Sequence, residues 1–163
     1  MSYLQYNAGV NYSLYYNILS YFETIMQNHP SIQEVAQGDI SDIDTNVYPF
    51  YPFGNVSILA ANFTPSTTDY TIQLIIADKI KNKNNESEPR TNAQDIVFYG
   101  VDDVVDIHAN TLAIINDLTS YTQRGVAGFE INGDINCAAF DDSYNNGLAG
   151  WVATFELTTH NDK

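Results

Sequence analysis

Positive charge is what this sequence has least of. Its 163 residues hold 6 Lys and Arg against 20 Asp and Glu, a formal net charge of −14. Gripping a phosphate backbone takes clustered cations, and so does holding to an anionic membrane surface. Neither class fits, although lying beside DNA without binding it does. The single cysteine, Cys137, leaves no disulfide within the chain. No run approaches the roughly 18 consecutive apolar residues of a membrane span. Met1–Gly9 carries neither a basic stretch nor an apolar one, so no secretory leader is expected. His29, His108 and His160 have no His or Cys three or four residues away, which argues against zinc. Neither a G-x-S-x-G motif nor a phosphate loop occurs, and no acid–base pair stands out. The expectation is a protein that is not an enzyme, with no catalytic residue, no cofactor and no metal.

What is present is apolar and aromatic. The hydrophobic fraction is 44% and the aromatic fraction 13%, enough for a core and too much for a disordered chain. A single domain over 1–163 is expected. Apolar residues at helical spacing, Leu14, Ile18, Phe22, Ile25 and Met26, predict a helix from about Asn11 to His29, with Asn11 as its cap and Pro30 as its stop. Aromatics lie nearly all round it (Tyr12, Tyr15, Tyr16, Tyr21, Phe22), more than a one-sided core requires. Ile32 and Val35 are placed in a short strand ending at Gly38. A second helix is predicted over Asp102–Thr122, with Val104, Ile107, Leu112, Ile115 and Leu118 as its stripe and the paired acids at its start. Two β-hairpins complete the pattern, Val56–Phe63 with Tyr70–Ala77, and Gly128–Phe140 with Leu148–Thr159. Trp151, Ala153, Phe155 and Leu157 alternate cleanly in the last strand. The fold class expected is α+β, one antiparallel sheet built from two hairpins with two helices packed on one face.

Three stretches stand outside this core pattern. The acidic connection at about 39–47 holds Asp39, Asp42 and Asp44. From Asp42 it reads D-x-D-x-N, but Val47 stands where a calcium loop needs Gly and Phe53 where it needs Glu, so it is read as a solvated loop. Lys79–Asn92 holds four of the six cations, Lys79, Lys81, Lys83 and Arg90, and is read as a mobile exposed loop. Tyr48–Phe53, with Pro49 and Pro52, is read as an edge or loop. It is either a stacking patch for sugars or bases, or an arm packed on a neighbouring subunit. Aromatics with few cations favour the subunit contact. Cys137, beside Ala138 and Ala139 in a strand pattern, is expected to be a buried, inert thiol.

Taken in order, these pieces form a larger pattern. It consists of Tyr51-Pro-Phe53 leading into a strand, then Tyr70-Thr-Ile-Gln-Leu-Ile-Ile-Ala-Asp78, then Asp102-Asp-Val-Val-Asp-Ile-His-Ala-Asn110, then Leu148-Ala-Gly-Trp-Val-Ala-Thr-Phe-Glu-Leu157. From about Asn11 to Thr159 this resembles the tail-terminator and neck proteins of tailed bacteriophages, including those of crAss-like phages. The resemblance implies a tail-terminator-like fold and a virion structural protein made in the bacterial host cytoplasm. It implies a homo-oligomeric ring of about six or twelve subunits. That ring joins portal-side and tail-side proteins, with genomic DNA passing through its lumen without specific binding and no membrane involved. Subunit contacts are then expected at Tyr48, Phe50, Tyr51 and Phe53, at Lys79, Lys81, Lys83 and Arg90, and at His160 in the tail after Thr159. The alternative is a non-enzymatic surface binding module for a carbohydrate or protein ligand, which sequons such as Asn62-Phe-Thr64 would suit.

Overall fold

The computed structural model describes residues 2–37, 50–80, 90–91, 97–98, 102–124, 129–141 and 147–160. For 2–13, 37, 90–91, 97–98 and 102–103 it describes the backbone alone. The elements are α1 (Ser2–Asn28), β1 (Glu34–Gln37), β2 (Phe53–Phe63), β3 (Thr67–Lys79), β4 (Arg90–Thr91), β5 (Val97–Phe98), α2 (Asp102–Gln123), β6 (Glu130–Asp141) and β7 (Leu148–His160). The acidic connection at 39–47 lies outside the described residues.

The architecture is α+β, with a five-stranded sheet in the order β1-β2-β3-β7-β6. β2, β3, β7 and β6 run antiparallel in turn, but β1 pairs parallel with β2, Glu34 opposite Phe53 and Gln37 opposite Val56. The sheet is therefore mixed, and the all-antiparallel expectation fails at this edge. The stretch from Gly38 to Pro52 is long enough to carry the chain back to the end it left, which a parallel neighbour requires and a tight turn cannot provide. A second, two-stranded sheet joins β4 to β5, so Arg90 and Thr91 are strand residues, not part of a loop.

α1 also departs from expectation. Its helix begins at Ser2, well before Asn11, because no proline interrupts Ser2–Val10 and a lone Gly9 costs a helix only about 1 kcal/mol. It stops where Pro30 requires. His29 N–H donates to the Met26 carbonyl at 3.2 Å and Ile32 N–H to the His29 carbonyl at 3.2 Å, turning the chain toward β1.

Both helices pack on one face of the sheet. Ile18, Phe22 and Met26 of α1 and Ile114, Ile115 and Leu118 of α2 meet Val56, Ile72, Leu74, Ile76, Phe155 and Leu157 in one core. Phe22 is fully buried and lies 5.8 Å from the Phe155 ring, centroid to centroid. Burial of each such side chain contributes roughly 1.5–3 kcal/mol. The α2 stripe is not purely apolar. Thr111, Thr119 and Thr122 are buried on it, their hydroxyls donating to the carbonyls of Ile107, Ile115 and Leu118. A threonine that satisfies its own hydroxyl in this way can replace an aliphatic residue in the interior. Leu112, placed on the stripe by spacing, is exposed, and so is Val105. On the opposite face a smaller cluster gathers Phe53, Ile75, Ala77, Phe140 and Leu148.

Two glycines mark geometric limits. At Gly150 an added Cβ would stand 2.0 Å from the Ile76 carbonyl oxygen and 2.9 Å from the Ala77 Cα. Backbone cannot yield there. Gly133 has φ +80° with nothing within 4 Å of an added Cβ, so only backbone strain opposes a side chain. Gly150→Ala should abolish soluble folded protein, whereas Gly133→Ala should fold and lose about 1–2 kcal/mol. Solubility and urea midpoints of the two variants check this contrast.

Candidate functional site

Polar contacts centred on two histidines, together with a hydrogen bond from the Tyr21 hydroxyl to Thr122 Oγ1 at 3.3 Å, tie the helices to the sheet and to each other. Ser31 N–H donates to His29 Nδ1 at 3.1 Å, which makes Nδ1 an acceptor and leaves the proton on Nε2. Nε2 then faces Asp117 Oδ2 at 3.3 Å. Both ring nitrogens are engaged, so His29 has none free to activate a nucleophile, as a catalytic His–Asp pair requires. The contact joins the end of α1 to α2. His108 Nε2 lies 2.9 Å from the Phe140 carbonyl oxygen, and Trp151 Nε1–H donates to the His108 carbonyl at 2.8 Å. The His108 ring also meets Trp151 edge-on at 5.9 Å. This links α2 to β6 and β7.

Two open grooves flank α2. One, of about 510 Å³, lies between the C-terminal half of α1 and α2, with Ile25, Pro30, Leu118 and Tyr121 beside the His29–Asp117 contact. The other, of about 590 Å³, lies between α2 and β6. Its walls include Leu112, Ala113, Asn116, Thr119, Ile135 and Cys137, and no charged residue lines it among the described residues. Among the described residues no group of three or more His, Cys, Asp and Glu stands ready to hold a metal ion. Among them, too, no helix is long and apolar enough to cross a membrane.

The expected contact residues fall into different surroundings. Phe50 is 58% exposed, as a contact residue must be. Tyr51 is half-buried against the smaller cluster. Phe53 is fully buried as the first residue of β2, which removes it from any subunit surface. Proline at 52 keeps Tyr51 out of the ladder, but the inner strand starts directly after it. Lys79 is exposed but belongs to β3, paired with Leu148. The next residue, Ile80, is buried and donates its N–H to the Gly147 carbonyl at 2.8 Å, so no loop begins at 79. His160 is likewise a strand residue, opposite Thr67 in β7, with Nε2 3.7 Å from Glu130 Oε2 of its own chain. It is not part of a free tail. Tyr48, Lys81 and Lys83 lie outside the described residues.

Cys137 is exposed, contrary to the buried thiol expected. Its side faces the helices, since it pairs with buried Ala153, but β6 is the sheet's edge and α2 leaves the groove above it open. Partial desolvation still pushes its thiol above the ordinary value.

Compared with known protein families and with curated protein sequences, the chain matches none.

The surface that sequence reading misses is a pair of strand edges. β1 covers β2 only over Phe53–Val56. Beyond it, Leu59–Phe63 is exposed at every residue, Leu59 at 53% and Phe63 at 72%. At the other side of the sheet, Asn136–Ala139 of β6 is exposed as well. A signal is present in hindsight: no charged residue stands between Asp44 and Asp69, nor between Asp134 and Asp141. Edge strands normally carry a guarding charge or proline.

Among the described residues, burial also shifts two tyrosines. Burial raises the Tyr21 phenol above its ordinary 10.0; a hydrogen bond to Thr122 opposes this and Tyr121 adds to it. Burial alone raises Tyr70. The folded chain therefore holds these protons more tightly than the unfolded chain. Their contribution is complete below pH 10 and is lost as pH climbs toward the raised values. Urea midpoints should be flat up to about pH 9 and fall by about pH 11, and the fall should shrink in Tyr70→Phe and Tyr21→Phe.

Proposed function

We propose that the chain is a non-catalytic structural subunit that assembles with copies of itself into a ring in the neck or tail of a phage virion. The observation that carries this is the exposure of Phe50, Leu59 and Phe63 on a chain with net charge −14. A chain this acidic has ample means to keep its surface polar. Large apolar side chains left in water mark an interaction surface. The order of pieces, from the Tyr51-Pro-Phe53 lead-in to the closing Ala149-Gly-Trp151 hairpin, supports the virion setting. So does the charge, because an acidic lumen repels DNA phosphates and lets a genome slide. A contact between two different patches, repeated by rotation, closes a ring.

Light scattering across concentration, alone and with candidate neck proteins, tests the reading. A discrete species of about six or twelve subunits is expected. Because like-charged copies repel, that species should gain population between about 0.05 and about 0.5 M salt. A strict monomer under all these conditions contradicts the reading. It would move the assignment to a surface binding module for a carbohydrate or protein ligand, whose seat would be the α1–α2 groove.

A further inference from the structure

We infer that copies of this chain join by strand addition, the outer half of β2 of one copy pairing antiparallel with Ile135–Phe140 of β6 in the next. This deepens the ring reading and rests on it, by naming the surfaces that meet. The occupant of each edge is a second copy because the chain carries both halves of the contact at opposite sides of one sheet.

Three features of the two edges agree. The first is charge. Ser57–Phe63 and Ile135–Phe140 are uncharged, so they are where two copies of an acidic chain approach at least electrostatic cost. The second is direction. β2 runs antiparallel to β3, β3 to β7 and β7 to β6, so β2 and β6 point in opposite senses. A neighbour in the same orientation therefore offers β2 antiparallel to β6, and the outward-pointing N–H and C=O groups of Leu59–Phe63 and Asn136–Ala139, which no described strand covers, find partners. The third is facing. Beyond the bulge between Ile58 and Ala60, Ala61 pairs with Tyr70 and Phe63 with Thr68, so both share the helix-covered face. In the continued sheet Phe63 comes to the side where the uncharged α2–β6 groove opens beside Ile135 and Cys137.

The geometry of closure follows from the register. Ser57 lies level, through Gln73 and Thr154, with Asn136. The outer half of β2 and the Ile135–Phe140 stretch are thus offset along the sheet by roughly five residues, about 17 Å. Over four strands spaced about 4.8 Å apart, that offset tilts the strands by roughly 40°, inside the range in which sheets close on themselves. Thr64 and Thr67 hold the intervening turn by reciprocal hydrogen bonds of 2.9 Å from each N–H, one to the Thr67 carbonyl and one to the Thr64 hydroxyl, which keeps the β2 edge extended.

Cys137 supplies the test. In the full-length protein, Ala61→Cys and Phe63→Cys each place a second thiol on the face of Cys137, and Asn62→Cys places one on the opposite face. Under catalysed oxidation, whichever of the two same-face variants stands opposite Cys137 in the register should form a ladder of disulfide-linked oligomers at least ~10-fold faster than Asn62→Cys, since bridged Cβ atoms must lie about 4 Å apart. Wild type, with Cys137 alone, should stay uncrosslinked. A wild-type dimer through Cys137 would show β6 meeting β6 about a two-fold axis and would overturn the inference. Large species by light scattering with no ladder in either same-face variant would also overturn it and leave the ring reading standing. Monomers throughout would overturn both.

Discussion

Two helices can shield about four strands, because a helix with its side chains is about 10 Å wide and strands lie about 4.8 Å apart. In this protein α1 packs over β1 and β2 and α2 over β3, β7 and β6, and Phe22, Ile115, Ile72 and Phe155 meet in one core between them. The outer half of β2 and the Asn136–Ala139 stretch of β6 receive no such cover. The exposed Leu59 and Phe63, the open α2–β6 groove and the accessible Cys137 all follow from that one arrangement.

The histidines show how the arrangement is held. His29 accepts from Ser31 and faces Asp117, fixing the end of α1 against α2. His108 reaches the Phe140 carbonyl while its own carbonyl accepts from Trp151, fixing α2 over β6 and β7. These imidazoles serve position. The Asp117 carboxylate is largely exposed, so its hydrogen bond with His29 adds at most about 1 kcal/mol. The hydrogen bonds to the backbone carry more of the geometry.

Much of the fold is legible in the sequence, and the exceptions share a cause. Ile107, Ile115 and Leu118 announce α2 by a local period, and Ala153, Phe155 and Leu157 announce β7 in the same way. Local spacing does not carry neighbours. The parallel pairing of β1 with β2 joins segments separated by Gly38–Pro52, so it leaves no period to read. Cys137 reads as buried because it lies in a strand among alanines; only the strand order makes β6 an edge. Phe53 reads as a surface aromatic because Pro52 precedes it; only β1 and β3 on either side make it interior. The register shift between Ile58 and Ala60 breaks the alternation of β2, which hides its outer half. Of the expected contact residues, Phe50 lies on the surface as its composition promises, whereas the β2 and β6 edges emerge only from topology.

Hydrogen exchange of individual backbone amides, followed across the concentration range of assembly, tests the central claim most directly. Amides of β3 and β7, paired on both sides, should be protected at every concentration. Outward-pointing amides in Leu59–Phe63 and Ile135–Phe140 should exchange fast in the monomer and become protected together as the oligomer forms. Edge amides that stay fast in a fully assembled sample would contradict the account.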